Sequence, residues 1–397
     1  MAAVDDLAAT FAARNRRRDR DGETSADSLH DLRTIGYLRA AIPTYLGGLG
    51  VESAHDLVVV ASRLARADAS LAIGVNMHTV AAHSTAQAWR VAVESGDHDR
   101  AVRFGGTLRT MAQSGVAIAA AVSEPGGDQD LGRPSTTATR DGAGWRIDGT
   151  KAFCTMSPLA DLLGVAVTFV DDGGAERYGF AYVSTTADGC TVHDDWDALG
   201  MRSSGSGRVS FDGVRIGGHD LSDSHPTGEA SAAGLDRFLT SGLFHASATL
   251  GIAEAAHRQV TDVDAARRAR LAERGRSVQV VADNVVDLAA MRATLARAAT
   301  AVDVHFRRAL RLEGRTVEAS ADVFADVQAA KALIDQVGPR VVDRALELSG
   351  GAGYLTRSPL SQACRDVRAG AFMHPLGANR AYDFIAQVEL RHSPSLR

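Results

Sequence analysis

Apolar residues recur along this chain with two different periods, and the switches between them divide it into three parts. Residues 4 to about 117 carry the helical spacing. Asp27-Ser28-Leu29 followed by Leu32 reads as a helix start, and residues 35–38 as its end, ahead of an extended step at Ile42-Pro43 and a glycine loop at 47–50. Leu57, Val60, Ala61, Leu64 and Ala65 then share one face of a second helix. Asp68-Ala69-Ser70 opens a small-residue helix through Ile73, Met77, Val80 and Ala81, and a more charged helical run covers residues 95–113.

Near Val116 the period falls to two. Residues 117–122, 138–140, 145–148, 162–169, 179–183 and 209–214 are short β-like runs separated by Gly and Asp turns, with Asp141-Gly142-Ala143-Gly144 reading as a hairpin. So many short strands in one stretch predict a small barrel or sandwich. After Pro226 the helical period returns in long runs at 235–263, 278–312, 319–348 and 376–388, the pattern of a four-helix bundle. The expected fold is therefore α+β: an N-terminal α-helical domain (1–117), a middle β-barrel domain (118–225) and a C-terminal four-helix bundle (226–397).

Composition narrows the function classes. A chain of 397 residues exceeds the size of a single core, which agrees with several packed parts. The net charge of −5 argues against a nucleic-acid surface. Cys154, Cys190 and Cys364 are odd in number and far apart, with neither a disulfide framework nor a metal-ligand spacing, which predicts a reducing, cytoplasmic setting and no metal. The first twenty residues lack the apolar core of a signal peptide, and no apolar run reaches the roughly 18 residues of a membrane helix.

Candidate chemistry gathers in four stretches. Residues 345–375, ALELSGGAGYLTRSPLSQACRDVRAGAFMHP, join a helix end, the glycines Gly350, Gly351 and Gly353, a second short helix and the pair Arg365-Asp366. Taken alone, the glycines read as a helix cap. Residues 121–130 read AVSEPGGDQD, a strand end followed by a turn; residues 145–161 read WRIDGTKAFCTMSPLAD; residues 196–214 contain Gly200-Met201-Arg202-Ser203-Ser204 ahead of a strand.

In this order and spacing, the four stretches resemble the acyl-CoA dehydrogenase superfamily. That resemblance implies a flavoprotein binding FAD, with FMN or a diffusible reduced flavin also open. Ser123 matches the hydroxyl that bonds the pyrimidine end of the flavin ring, Phe153 the aromatic lying on a ring face, and Thr155 the hydroxyl near flavin N5. Gly350 and Gly351 match the flavin-contact turn; Arg274 or Arg276 matches the arginine that binds the FAD pyrophosphate, often from a neighbouring subunit. Glu347 stands where the family commonly has a Gln facing the dinucleotide, and a carboxylate is unfavourable beside phosphates. A homo-oligomer, dimer or tetramer, is implied.

The departures matter most. Where the family places its catalytic Glu, eight residues after the Asp of the Arg-Asp pair, this chain has His374, and residues 238–251 of the first bundle helix contain neither Asp nor Glu. Asp236 lies just upstream. A branch of the superfamily lacks that Glu and uses reduced flavin and O₂, with His and Ser/Thr handling protons; Thr155, His374, His245 and His78 fit that role. The expected activity is thus a reduced-flavin monooxygenase acting on a small or natural-product-like substrate, with a separate flavin reductase, because no G-x-G-x-x-G nicotinamide fingerprint is present. An FAD-dependent acyl-CoA dehydrogenase and a catalytically degenerate flavin-binding relative stay open beside it.

Overall fold

The structure is a computed structural model that describes residues 1–397 apart from 127–131, 222–224, 229, 274, 312–314, 374 and 392–397. Its three-part order follows the periodicity. The first part holds α1 (Ala2–Asp21), α2 (Ala26–Thr34), α3 (Ala54–Ala67), α4 (Ala69–Glu94) and α5 (His98–Ser114). Asp68 caps α4 as expected, its carboxylate accepting from the Leu71 N–H at 2.9 Å. Small residues along α4 let it sit deep in the core, buried over most of its length.

The middle part is one sheet built from β1 (Ile118–Ala121), β2 (Thr137–Asp141), β3 (Gly144–Lys151), β4 (Leu162–Val170), β5 (Glu176–Ser184), β6 (Cys190–Val192), β7 (Val209–Ile216) and β8 (His225–Pro226). The strand order is β6-β7-β3-β2-β4-β5-β8, with β1 joined in parallel to β4. The expected barrel is thus a sheet whose hydrogen-bonded order runs as an open path among the described residues. The Asp141–Gly144 turn is the predicted hairpin, with those two residues paired across β2 and β3. β6 and β8 lie outside the runs expected from the pattern, being too short to carry an alternation. β4 is buried on both faces and is apolar but for Thr168, whose hydroxyl donates to the Pro134 carbonyl at 2.7 Å.

The third part contains α6 (Ala232–Thr261), α7 (Ala265–Ala272), α8 (Gly275–Leu310), α9 (Val317–Ser349), α10 (Pro359–Asp366) and α11 (Ala378–Glu389). The long helices α6, α8, α9 and α11 are those expected of the bundle. α6 is its axis, apolar nearly all round and packed against α3, α4, α8, α9 and α10. Both carboxylates of α6 are tied to groups elsewhere in the chain. Buried Glu254 receives Arg66 of α3 at 2.9 Å and Arg292 of α8 at 2.6 Å. Asp236 likewise binds His305 at 2.7 Å and Arg315 at 3.1 Å. No helix among the described residues is long and apolar enough to cross a membrane.

Candidate active site

Where the sheet meets α4, α6 and the segment after α10, a cavity of about 480 Å³ opens. Strand register makes its floor: Ala120 of β1 pairs with Gly164 of β4, which pairs with Tyr182 of β5. All three residues, with Phe180, line the cavity. Side chains one or two turns apart make its walls, Met77, Val80, Ala81 and Ser84 from α4 and Phe238, Ser241 and His245 from α6. At the mouth, Phe153 is 63% exposed and meets Trp196 edge-on, centroids 5.4 Å apart. The lining is mostly apolar, as a flat organic ring requires.

A short line of hydroxyls supplies the polar edge. Ser206 donates to the Thr155 hydroxyl at 3.0 Å, and the Ser204 and Ser206 hydroxyls lie 2.6 Å apart. Because Thr155 accepts from Ser206, its own proton remains for a group in the cavity. Ser123, on the bend after β1, is held close by, since its carbonyl accepts from the Ala152 N–H at 2.9 Å. A buried ion pair fixes these two loops together: Lys151, 0% exposed, donates to Glu124 at 2.7 Å and to the Val122 carbonyl at 3.2 Å. Burial opposes the Glu124 charge, but the Lys151 ammonium and the Ser135 and Thr136 donors outweigh it and hold this carboxyl at about 2.

The Arg365-Asp366 pair clamps the loop at the cavity mouth. Arg365 binds Asp19 of α1 and the Leu199 carbonyl, the latter at 3.2 Å. Asp366 accepts from the Met201 N–H at 2.6 Å. Gly200 is required between them, because a Cβ there would lie 2.5 Å from the Arg365 carbonyl carbon and oxygen. Beyond α10, Lys331 donates to the Gly370 carbonyl at 2.9 Å and to Asp335 at 2.9 Å, holding the segment that brings Arg368 and Phe372 to the cavity.

Of the residues singled out in the sequence, Ser123, Phe153, Thr155 and His245 come together on this cavity. His374 and Arg274 lie outside the described residues. His78 does not line the cavity. Its Nε2 donates to the Leu38 carbonyl at 2.6 Å and its Nδ1 accepts from the Ile118 N–H at 3.2 Å, so both nitrogens hold backbone. Burial pushes this imidazole down to about 4 and keeps it neutral. Glu347, Gly350 and Gly351 also lie off the cavity lining. Glu347 is exposed and forms a two-pronged pair with Arg276, at 3.1 Å on each prong. Gly350 takes φ +66° and ends α9, the helix-capping role that three glycines alone suggest. Asp236 is engaged by His305 and Arg315 and does not line the cavity.

Sequence reasoning missed Tyr182, Gly164 and Arg237, and it singled out the stretch 196–214 without assigning a role to Trp196 or Ser206; all five line the cavity. Arg237 left a faint signal, a charged residue at the head of the otherwise uncharged stretch 238–251. Gly164 and Tyr182 sit in strands, and Trp196 and Ser206 in a polar loop, where nothing in the local pattern separates a lining residue from its immediate neighbours.

The chain belongs to the acyl-CoA dehydrogenase family: the N-terminal, middle and C-terminal domain families of acyl-CoA dehydrogenase match residues 1–89, 119–214 and 243–375. The class this defines is that of flavin-dependent oxidoreductases. Within it, the chain is similar to an amino sugar nitrososynthase from Streptomyces peucetius, 32% identical over 95% of this chain and 89% of the relative. It is also similar to an L-evernosamine nitrososynthase from a Micromonospora species, 31% identical over 93% and 84%. Among solved structures, KijD3 in complex with FMN and dTDP-3-amino-2,3,6-trideoxy-4-keto-3-methyl-D-glucose superposes with a TM-score of 0.87 at 29% identity, covering 98% of this chain and 93% of that one.

Proposed function

We propose that the chain is a flavin-dependent N-oxygenase that oxidises the amino group of a nucleotide-linked deoxy amino sugar, using FMN, O₂ and electrons delivered by a separate reductase. The observation that carries the oxygenase reading is the charge of the lining. Acyl-CoA dehydrogenation needs a base poised over the substrate's α-carbon, a carboxylate in the family. Among the described lining residues the one carboxylate is Asp197, which is exposed in the loop at the mouth. The substrate class is supported by near full-length similarity to nitrososynthases and by the sugar nucleotide bound to KijD3.

The residues present fit a flavin. The exposed face of Phe153, the small floor at Ala120 and Gly164, and the hydroxyls of Ser123 and Thr155 suit a flat ring with polar edges. When bound, reduced flavin supplies two electrons to O₂, so that one oxygen atom passes to the amine nitrogen and the other leaves as water. The protein's part is to exclude bulk water with the apolar walls and to manage protons. Thr155, oriented by Ser206, presents a hydroxyl proton to the cavity. His245, on the α6 wall, gives and takes the proton of the reacting nitrogen.

The test is direct. Incubated with FMN, a nicotinamide-driven flavin reductase, O₂ and the dTDP-amino sugar, the protein should convert the amine to hydroxylamine and nitroso products, read by mass spectrometry. Recovery of unreacted sugar, together with anaerobic bleaching of bound flavin by an acyl-CoA, would overturn the proposal in favour of a dehydrogenase.

A further inference from the structure

Among the described residues three guanidinium groups line the cavity, and two of them are engaged: Arg365 by Asp19 and the Leu199 carbonyl, Arg368 by Asp343 and the Cys364 carbonyl. Arg237 differs. Its guanidinium lies over the Phe180 ring, 4.0 Å from the centroid, and no carboxylate or carbonyl engages it among the described residues. A guanidinium is charged at every working pH, and holding one half-buried against apolar walls without a counter-ion is costly. The aromatic face recovers part of that cost while leaving the N–H fork open.

The surroundings are those of an anion site. Tyr182 lies two residues beyond Phe180 on β5, hence on the same face, and its side chain also lines the cavity. Burial, with the charges of Arg237 and Arg177, pushes His225 down to about 4, so this imidazole is neutral and supplies Arg237 with no counter-charge. Asp197 is the single lining carboxylate among the described residues, and it is exposed.

We propose that Arg237, with Tyr182 on the same cavity face of β5 as the Phe180 ring that Arg237 covers, forms an oxyanion subsite that receives a phosphoryl group of a ligand bound in the cavity. A planar fork is suited to two phosphoryl oxygens at once, and Tyr182 has a further donor to offer. The phosphoryl group has two possible sources, the diphosphate of a sugar nucleotide or the phosphate of FMN. Only this choice of ligands rests on the function proposed above; the subsite itself rests on the cavity.

Calorimetric titration of the wild type, Arg237→Gln and Arg237→Lys with dTDP, inorganic pyrophosphate, FMN and riboflavin separates the cases. If the subsite serves the substrate, Arg237→Gln weakens dTDP and pyrophosphate by roughly tenfold or more, Arg237→Lys by less, and FMN is unchanged. If it serves the flavin, Arg237→Gln brings FMN down to the affinity of riboflavin and leaves dTDP unchanged. Arg237-dependent binding of pyrophosphate without binding of dTDP would retain the subsite and remove the nucleotide-sugar reading. The proposal is overturned if variants that melt like the wild type bind every ligand as the wild type does, or if the wild type binds none of the phosphorylated ones.

Discussion

Asp366 of α10 accepts a hydrogen bond from the backbone N–H of Met201 at 2.6 Å, so the bundle holds the loop that closes the cavity mouth. Burial raises this carboxyl to about 7, well above its ordinary 3.8, with the Met201 N–H and Arg365 opposing the shift and Asp19 adding to it. Between those two values the folded chain keeps a proton that the unfolded chain has lost. The stability this group contributes is therefore full at the acid end and is lost as pH rises through the folded value. Asp366→Asn preserves the acceptor and removes the titration. Its urea midpoint relative to wild type should rise between about pH 4 and about pH 7 and level off above that, and a constant difference would refute the coupling. Asp366→Ala, which leaves the Met201 N–H unsatisfied, should cost about 1–3 kcal/mol at the acid end.

Gly164 keeps the cavity floor low. A Cβ at this position would meet its nearest neighbours at 3.8–3.9 Å, an ordinary contact, so a larger side chain is accommodated by projecting into the cavity. Gly164→Leu should abolish flavin binding, measured by fluorescence titration, while changing stability by no more than about 1 kcal/mol. Unimpaired flavin affinity in this variant would move the ring site elsewhere.

Thr155 and Ser206 act in series. Thr155→Val keeps the volume and removes the hydroxyl, and product formation should fall on the order of 10²-fold with flavin affinity little changed. Ser206→Ala should give a smaller loss, because the Thr155 hydroxyl survives but is no longer oriented by its donor. Equal rates for Ser206→Ala and the wild type would dismiss the relay.

His78 and His245, both buried, should separate cleanly. His78→Ala removes both backbone contacts of the ring and should destabilise the chain by about 2–4 kcal/mol, with the turnover of the remaining folded protein unchanged. His245→Gln should do the reverse, leaving the melting temperature near that of the wild type while lowering product yield and altering the pH profile of turnover. A stability loss for His245→Gln matched by no kinetic change would reduce that residue to packing.

Much of this molecule is legible from local pattern. The α4 start at Asp68, the β2–β3 hairpin and the long bundle helices are set by side chains and periods within a few residues of each other. Ser123, Phe153 and Thr155 were legible for a different reason: their spacing along the chain matches a family pattern, and they do meet on one cavity. What the same pattern does not distinguish is a residue that faces a ligand from one that holds the fold. Arg365 and Asp366 carry the family resemblance, yet their contacts are with Asp19, Leu199 and Met201.

By itself, then, the sequence determined the three-part order, the element types and the family, because these depend on periodicity and short-range spacing. Only the tertiary structure decided which histidine faces the cavity and which is spent on backbone. His78 and His245 lie on buried helices of similar small-residue character, and the difference arises from what packs against each. Only the fold, too, leaves Arg237 without a counter-ion among the described residues, because a side chain's partners come from strands and helices far away in the chain.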